Sequence, residues 1–268
     1  MIGGRAASDR ITPGRCIISV GNPATALPSG WAWVLLSDLA DLGTGHTPSR
    51  KHPEYWDGDI PWVGIRDAGT HHGGVICDTI QHVTKLGLAN SSARLLPKDT
   101  VCLSRTASVG YVVTMGKPMA TSQDFVTWSC GRWLDPRFLV QALLAEGDEI
   151  RRFGEGSTHT TIYFPEVKAF HIGLPPVREQ HRIVAKIDRL SAKSKRARER
   201  LDHTPRLVEK YKQAILAAAF RGDLTRKWRS IRVEATPTFA HIAMERAQLQ
   251  EAIDNGCIPA TCLRCLTD

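Results

Sequence analysis

Short apolar runs separated by loops rich in Gly, Pro and Asn dominate the chain from Leu27 to about residue 175. Such runs, bounded by turn residues, are typical of β-strands. Strands are predicted at residues 33–36, 60–65, 100–104, 110–114, 124–128 and 170–174. Two helices are predicted between them, at 37–42 and at 136–153, the second with Asp135 as its N-cap and Gly154 at its exit. The pattern therefore predicts a compact α+β domain of short strands and a few helices.

The pattern changes completely after Pro176. Apolar positions now recur alternately four and three residues apart, which is the spacing of a helix that packs along a partner helix. Pro205 interrupts this stripe, and Thr204 before it is a good cap for a restarted helix. The sequence thus predicts one kinked helix or two stacked helices over residues 176–219, roughly 66 Å at 1.5 Å per residue. The residues expected to pair with a partner helix are Ile183, Ile187, Leu190, Ala197, Leu201, Val208, Tyr211 and Ile215.

The two ends of the chain carry weaker patterns. Residues 1–26 are rich in Gly, Ser, Thr and Pro and have no sustained period, which predicts a flexible N-terminal arm. Residues 229–268 form a short extension that contains one predicted amphipathic helix. The expected organisation is an arm (1–26), an α+β domain (27–175), a long coiled-coil-forming helix (176–228) and the extension.

Charge is distributed unevenly over these segments. The chain carries a formal charge of +8, yet residues 178–229 alone hold 16 basic and 6 acidic side chains. The domain before them is slightly acidic, so a uniformly basic coat for nucleic acid is excluded. No apolar run approaches the roughly 20 residues that span a bilayer, and the N-terminus has no apolar signal region. A cytoplasmic protein without membrane association is expected.

Known catalytic signatures are not found in the sequence, neither a phosphate-binding loop nor a nucleophile elbow, a zinc-protease helix or a dinucleotide fingerprint. Glu166 and Lys168, with Asp148 upstream, offer a weak nuclease-like set that could hold a metal and a water. A solvated turn before the next strand explains them more simply. The adjacent His71 and His72 are predicted to lie in a surface loop.

Cysteine usage does not indicate a disulfide framework, since the chain has seven cysteines, an odd number. Cys257, Cys262 and Cys265 would bind zinc or iron only if His241 or a second chain supplied a fourth ligand. Free thiols are the simpler interpretation. No metal or cofactor is therefore expected.

The loops of the α+β domain are unusually rich in Thr, Ser, His, Gln and Arg. These side chains suit base edges and phosphates, because Arg reads guanine, Gln reads adenine, and Ser or Thr adapt to either. Ordinary turn chemistry accounts for the same composition with fewer assumptions. Composition alone therefore leaves the role of these loops open.

Several motifs occur in a fixed order along the chain. They are Leu27-Pro-Ser-Gly-Trp-Ala-Trp33, Thr44-Gly-His-Thr-Pro-Ser49, Pro53-Glu-Tyr-Trp56, Gly58-Asp-Ile-Pro-Trp62, Leu96-Pro97, Ser104-Arg-Thr-Ala-Ser-Val-Gly110, Met119-Ala-Thr-Ser-Gln-Asp124, Gly156-Ser-Thr-His159, Leu174-Pro-Pro-Val-Arg-Glu-Gln-His-Arg-Ile-Val184 and Gln213-Ala-Ile-Leu-Ala-Ala-Ala-Phe-Arg-Gly-Asp-Leu-Thr225. Together they resemble the DNA specificity (S) subunits of type I restriction-modification systems.

The resemblance implies a function without catalysis. In that family a target recognition domain reads a few base pairs of double-stranded DNA. A long conserved helix acts as a spacer and as the docking surface for methyltransferase (M) subunits. Methylation and cleavage belong to the M subunits and to the restriction (R) subunits that join through them, so this chain is expected to be no enzyme and to need no cofactor.

Members of the family usually carry two recognition domains and two such helices, which pair antiparallel. This sequence contains one of each, which predicts a half-length form, either natural or truncated. An unpaired apolar stripe then predicts a homodimer through the helices, reading a symmetric bipartite site.

The motifs also select candidate DNA-facing residues. The set is Thr44, His46, Thr47, Ser49, Arg50, Arg66, Arg105, Thr106, Ser122, Gln123, Ser157, Thr158, His159 and Thr160. His46 stands where many relatives are expected to have Gly. Two alternatives remain open at this point, a nuclease or methyltransferase that acts alone and a truncated remnant without productive DNA recognition.

Overall fold

The computed structural model of the chain describes residues 11–106, 108–154, 160–231 and 239–256, with only the backbone for 239–242. Two compact units are present, one up to Lys193 and one from Ser194 onward. The boundary between them lies within the long helix. Each unit is described separately below.

The first unit is an α+β structure. Its described strands are β1 (Thr12–Pro13), β2 (Ile18–Val20), β3 (Ala32–Leu35), β4 (Ala40–Thr44), β5 (Trp56–Val63), β6 (Val75–Ile76), β7 (Gln81–Val83), β8 (Val101–Ser104), β9 (Val112–Met115), β10 (Ala120–Thr121), β11 (Phe125–Cys130) and β12 (Phe170–Leu174). Its helices are α1 (Ile65–Thr70), α2 (Lys85–Ala89), α3 (Pro136–Glu146), α4 (Phe164–Lys168) and the start of α5 (Val177–Phe220), with 3-10 turns at Leu36–Asp38, Pro53–Tyr55 and Gly147–Phe153.

Three sheets organise these strands. Their strand orders are β1-β2-β12-β3, β4-β11-β8-β9-β6 and β10-β5-β7. Neighbours are antiparallel except in the pairs β6–β9 and β10–β5. The main core lies where the four-stranded and five-stranded sheets meet α3, since Trp128 of β11 stacks on Phe170 of β12 at 6.0 Å and Phe138 of α3 is buried in the same cluster. Burying aromatic side chains of this size stabilises the fold by roughly 2 to 3 kcal/mol each.

The predicted α+β class is confirmed, and each of the six predicted strands overlaps an observed one. The long predicted helix at 136–153 is shorter than expected. Asp135 caps α3 by accepting a hydrogen bond from the Arg137 N–H at 2.8 Å, but Gly147 takes a positive φ of 54° and ends the helix. Residues 147–153 continue as a 3-10 turn.

The predicted helix at 37–42 is wrong. Only its first two residues belong to a 3-10 turn, Leu36–Asp38, and Ala40–Thr44 is strand β4. β4 pairs along its whole length with β11, a strand of the core. Tertiary pairing therefore overrides the weak local helix preference of this short stretch.

The prediction of a flexible arm up to residue 26 is also wrong for its described part. β2 pairs with β12, and its residues Ile18 and Val20 are only 1% and 2% exposed. The segment thus supplies an inner strand of the four-stranded sheet.

A buried carboxylate holds this N-terminal segment. Glu146, the last residue of α3, is fully buried and accepts hydrogen bonds at 2.5–3.2 Å from four consecutive backbone N–H groups, those of residues 15–18. Successive N–H groups that converge in this way form an anion-binding nest. The nest replaces the water that a buried carboxylate loses, so β2 and α3 are joined through one charged side chain.

A buried glutamine anchors the start of α5. Gln180 is fully buried, and its side-chain oxygen accepts from the Asp135 N–H at 2.8 Å while its amide nitrogen donates to the carbonyls of Trp133 and Pro175 at 2.9 Å. Val184, one turn later, is 2% exposed. The residues that follow Pro176 therefore attach the start of the long helix to the α+β core.

The long helix is a single continuous element, because α5 runs from Val177 to Phe220 with Pro205 inside it. Ile183, predicted to pair with another helix, packs instead against the main core. Leu201, Val208 and Tyr211 expose 67%, 48% and 69% of their surface.

The second unit contains the rest of α5, a 3-10 turn at Asp223–Thr225, α6 (Arg226–Ile231) and α7 (Phe239–Asp254). α7 corresponds to the amphipathic helix that the sequence predicts in residues 229–268. None of the described helices combines the length and the apolar character that a membrane span requires.

We predict that Glu146→Gln lowers the free energy of unfolding by about 2 to 4 kcal/mol, because an amide NH2 would face backbone N–H groups and leave buried donors without acceptors. Glu149→Gln is the matched control, since Glu149 is partly exposed and its ion pair in the described part of the chain is with Arg152 at 2.7 Å. It should change stability by no more than about 0.5 kcal/mol. Chemical denaturation measures both, and equal midpoints for the two variants would contradict the role assigned to Glu146.

Candidate nucleic-acid interface

The polar loops of the first unit start from one edge of the five-stranded sheet. β4 ends where β11 begins, since Thr44 pairs with Val126, and β8 ends beside the same point, since Ser104 pairs with Phe125. Antiparallel pairing therefore brings the loops after β4 and after β8 together with the loop before β11.

The three-stranded sheet contributes loops to the same edge. Thr121, the last residue of β10, pairs with Val63 at the end of β5, and Gln81 at the start of β7 pairs with Trp62. Only residues 122–124 separate β10 from β11, so the edges of the two sheets are continuous. The segments around residues 45–51, 64–67, 80–81, 105–106, 108–110 and 122–124 thus form one surface, which we call the loop edge.

Backbone hydrogen bonds tie the loop edge to its centre, residues 121–124. The His46 N–H donates to the Thr121 carbonyl at 2.9 Å, the Ser122 N–H to the Val63 carbonyl at 3.1 Å, and the Arg105 N–H to the Asp124 carbonyl at 2.8 Å. Three separate loops are therefore bonded to one short crossing.

Gly45 is required by the closeness of this packing. A Cβ atom at residue 45 would lie 1.9 Å from the carbonyl oxygen of Thr121 and 2.5 Å from that of Ser122. The glycine that this loop needs is thus Gly45, while the exposed His46 follows it and accepts a hydrogen bond from Trp62 Nε1 on its carbonyl at 3.1 Å.

A carboxylate at the centre organises the hydroxyl groups. Asp124 accepts hydrogen bonds from Thr106 Oγ1 at 2.6 Å and from Ser122 Oγ at 3.1 Å. Thr44 Oγ1 donates to the Phe125 carbonyl at 2.9 Å. Three of the predicted DNA-facing hydroxyls are therefore used to hold the edge, and Ser122, only 1% exposed, lines it from within.

Arg105 is held in an unusual environment beside this carboxylate. Its guanidinium carbon lies 5.0 Å from the ring centre of Phe164, and its buried Nε has no hydrogen-bond partner among the described residues. Burial lowers the pKa of the Arg105 guanidinium, and the charge of Asp124 partly offsets that effect. A buried N–H without an acceptor is costly, and the other guanidinium N–H groups of this half-buried side chain are the ones that can donate to a ligand.

A cleft of about 420 Å³ opens at the loop edge. It is lined by residues that include Arg50, Trp62, Arg66, Asp67, Gln81 and Asp124. Asp67 is buried and accepts from the N–H groups of Gly64 and Ile80 at 3.0 and 2.9 Å, which holds the two cleft walls together.

Eleven of the fourteen predicted DNA-facing residues lie at the loop edge or in the segments bonded to it. His46, Ser49, Arg50, Arg66 and Gln123 are exposed there. Thr47 Oγ1 is hydrogen-bonded to Gln123 at 2.5 Å, and Thr160 is brought near by the bond from the Ile162 N–H to the Arg105 carbonyl at 2.9 Å. Ser157, Thr158 and His159 lie outside the described residues.

Sequence reasoning missed the residues that reach the loop edge through strand pairing. Gln81 carries no local signal, because only the β5–β7 register brings it beside Trp62. Phe164 was missed for the same reason, since its partner Arg105 is distant in sequence, and Asp67 was not selected because its bond to the Ile80 N–H carries no local signal. Trp56 belonged to a motif of the resemblance and was detectable in principle.

The catalytic candidates do not form a site in the described part of the chain. Glu166 is buried in α4 whereas the Asp148 side chain is 95% exposed, and no cluster of three metal-ligating side chains occurs among the described residues. His71 Nδ1 lies 3.0 Å from the Asp67 carbonyl, and His72 Nδ1 accepts from the Val112 N–H at 3.1 Å, so both histidines bond to nearby backbone. The three C-terminal cysteines lie outside the described residues.

We predict that Gly45→Ala destabilises the protein by about 2 to 3 kcal/mol, because the new methyl group would overlap backbone atoms that cannot move without breaking the loop edge. Gly69→Ala is the matched control. The methyl group there would meet the Tyr111 ring at an ordinary 3.6 Å, and Ala is favoured over Gly within a helix such as α1. Thermal unfolding compares the two, and a Gly45→Ala protein as stable as wild type would disprove the close packing.

Comparisons with known proteins agree with this architecture. The family model of the type I restriction modification DNA specificity domain matches residues 28–202. The MjaIX specificity subunit of Methanocaldococcus jannaschii, a type I restriction enzyme component, is 27% identical over 59% of this chain and 37% of its own length. The EcoDI specificity subunit of Escherichia coli is 26% identical over 77% of this chain and 41% of its own length.

Solved structures share the fold. The HsdS subunit from Thermoanaerobacter tengcongensis aligns with a TM-score of 0.57 and 22% identity over 75% of this chain and 47% of its own. A structure from work on complex assembly and conformational transition of the type I R-M system aligns with a TM-score of 0.57 and 23% identity over 76% of this chain and 49% of its own.

The chain spans less than half the length of each of these relatives. The family match nevertheless covers well over half of the chain, including the loop edge and the start of the long helix. The chain therefore belongs to the family of type I restriction modification DNA specificity domains.

Proposed function

We propose that this chain recognises a DNA sequence for a type I restriction-modification complex, with residues 27–175 as the target recognition domain. The observation that carries the proposal is the loop edge, where two sheets deliver arginine, hydroxyl and amide side chains to one surface. Phosphates and base edges require these groups. The rigid strands behind the loops limit the entropy lost on binding.

Charge supports a division of labour between the two parts of the chain. Outside the loop edge, the α+β domain has a slight acidic excess. The positive charges of Arg50, Arg66 and Arg105 are therefore concentrated at the loop edge. The long helix carries the basic surplus. We propose that it adds sequence-independent attraction to DNA, which weakens with salt.

We further propose that residues 176–228 form the spacer that docks methyltransferase subunits and, through them, restriction subunits. The exposed apolar residues of α5 after Lys193 are suited to a protein partner. Catalysis would then reside in the partners, and the complex would act in the cytoplasm on the DNA found there. Residues 229–268 would be an accessory extension.

The experiment that tests the function is methylation mapping of DNA from cells that express this chain with its cognate methyltransferase subunit. Methylation at one defined motif that disappears without this chain is expected. Methylation that does not depend on the chain, or methylation or cleavage by the purified chain alone, would overturn the proposal. The symmetry of the motif would also report whether one or two recognition domains act together.

We predict that Arg105→Ala weakens binding to the target duplex by about 1 to 3 kcal/mol, because its half-buried guanidinium lies at the loop edge and carries N–H donors suited to base edges and phosphates. Arg132→Ala is the matched control, since Arg132 also lies over an aromatic ring, that of Trp133, but follows the opposite end of β11. Fluorescence anisotropy at fixed salt measures both. Wild-type affinity and sequence preference in Arg105→Ala would refute the assignment.

We predict that the long helix mediates self-association in the absence of methyltransferase subunits, because the side chains of Leu201 and Val208 share one exposed stripe. Leu201→Glu with Val208→Glu should convert a dimer to a monomer in light scattering. Arg206→Glu with Gln213→Glu, on the opposite side of the helix at 100° per residue, should leave the dimer intact. A wild-type chain that is monomeric at all concentrations would exclude this mode of association.

A further inference from the structure

Arg50 is an exposed cation of the loop edge that aromatic rings hold in place. Its guanidinium carbon lies 4.1 Å from the ring centre of Trp56 and 5.9 Å from that of Trp62. The two indole rings contact each other edge to face at 5.3 Å, and Trp62 is fixed by its hydrogen bond to the His46 carbonyl. Stacking on an aromatic face holds the plane of a guanidinium group as well as its position.

Gln81 fixes the remaining rotation of this group. Arg50 Nη2 donates to Gln81 Oε1 at 2.9 Å. In the described part of the chain this is the side-chain hydrogen bond that Arg50 makes, and it uses one of five N–H donors. The other donors remain available on an exposed side chain that lines the cleft.

The surroundings of Arg50 favour a base edge over a phosphate group. Asp67 and Asp124 line the same cleft and balance the positive charges of Arg50 and Arg66, so a phosphate placed there would gain little net attraction. Base edges in the major groove carry no net charge and offer both acceptors and donors. A binding surface that combines a guanidinium with carboxylates therefore complements the edge of a base pair better than the DNA backbone.

The G·C pair matches this combination most closely. Guanine presents two acceptors side by side, O6 and N7, which a planar guanidinium contacts with two N–H groups, and cytosine presents an N4 amino donor that a carboxylate accepts. An A·T pair presents no two adjacent acceptors on one base. A guanidinium held in one plane gains most from the guanine edge because the bidentate geometry is already prepared.

We propose that Arg50 reads a guanine in the major groove through paired hydrogen bonds to O6 and N7, with Trp56 and Gln81 as positioning residues. The proposal rests on the proposed DNA-recognition function and specifies one base of its target. Arg50 determines the base, whereas Trp56 and Gln81 act through the orientation of Arg50 and do not touch DNA.

The test compares methylation maps from cells that express the full chain with its cognate methyltransferase subunit. Wild type should methylate a motif with guanine at one or more fixed positions. Arg50→Ala should relax one of these positions to any base and leave the others unchanged. Binding to the wild-type site should fall by roughly 5- to 150-fold, the equivalent of the usual cost of about 1 to 3 kcal/mol for a lost base contact.

Further variants separate base reading by Arg50 from the positioning of Arg50 and from the loss of an arginine elsewhere. Arg50→Lys keeps the charge but not the planar fork, so it should retain part of the affinity and lose part of the discrimination at the same position. Gln81→Ala should relax that position more weakly than Arg50→Ala. Arg132→Ala, which removes an arginine stacked on a tryptophan away from the loop edge, should reproduce the wild-type map.

The outcomes distinguish this inference from the proposed function. A wild-type motif that is unchanged in Arg50→Ala would overturn the guanine contact alone. A uniform loss of affinity over all sequences, with a smaller dependence of binding on salt, would identify Arg50 as a phosphate contact and also overturn it. Wild-type cells without any methylation dependent on this chain would overturn both proposals.

Discussion

The architecture of the recognition surface depends on the backbone packing around residues 121–124. This short crossing ends one sheet and begins another, and it receives hydrogen bonds that join the loops after β4, β5 and β8. The contact is so close that residue 45 must be glycine. Because the loops are bonded to the crossing and not only to their own strands, their side chains are held relative to one another. Sequence reading by protein side chains requires such placement, since a shift of about 1 Å is enough to lose a bidentate hydrogen bond.

Buried polar side chains also join separate segments of the backbone, both at the cleft and elsewhere in the first unit. Glu146 joins the N-terminal strand to α3, Gln180 joins α3 and the preceding loop to α5, and Asp67 joins the walls of the cleft. Each of these side chains satisfies backbone groups that secondary structure leaves without partners. Buried polar groups with all partners present specify one arrangement, because any alternative leaves them unsatisfied. The first unit therefore combines an apolar core with a small number of polar joints that orient its loops and its long helix.

The fold separates the basic part of the chain from the part that carries the loop edge. The basic surplus of the sequence lies on the long helix, which suggests non-specific attraction. The domain that carries the loop edge has almost no net charge, and there the arginines stand beside carboxylates. Such a surface is suited to discriminate among base edges, whereas a purely basic surface would bind any duplex. In the proposed function, affinity and discrimination thus belong to different parts of one chain.

Periodicity and order of motifs were enough to predict the α+β class, six strand positions, the long helix and the family, because these depend on local preference and on recurring residue types. The N-terminal arm and the helix at 37–42 were predicted wrongly, since strand pairing with β12 and β11 decides their conformation. Eleven of the fourteen residues selected from the sequence lie at the loop edge or in segments bonded to it, but the sequence did not distinguish Ser122, which is buried, from Arg50, which is exposed. Gln81 and Asp67 reach the cleft only through long-range register and hydrogen bonds. The sequence by itself determined which loops carry the polar chemistry, and the tertiary structure alone decided which of their side chains hold the surface and which are exposed on it, because that choice depends on partners far apart in the chain.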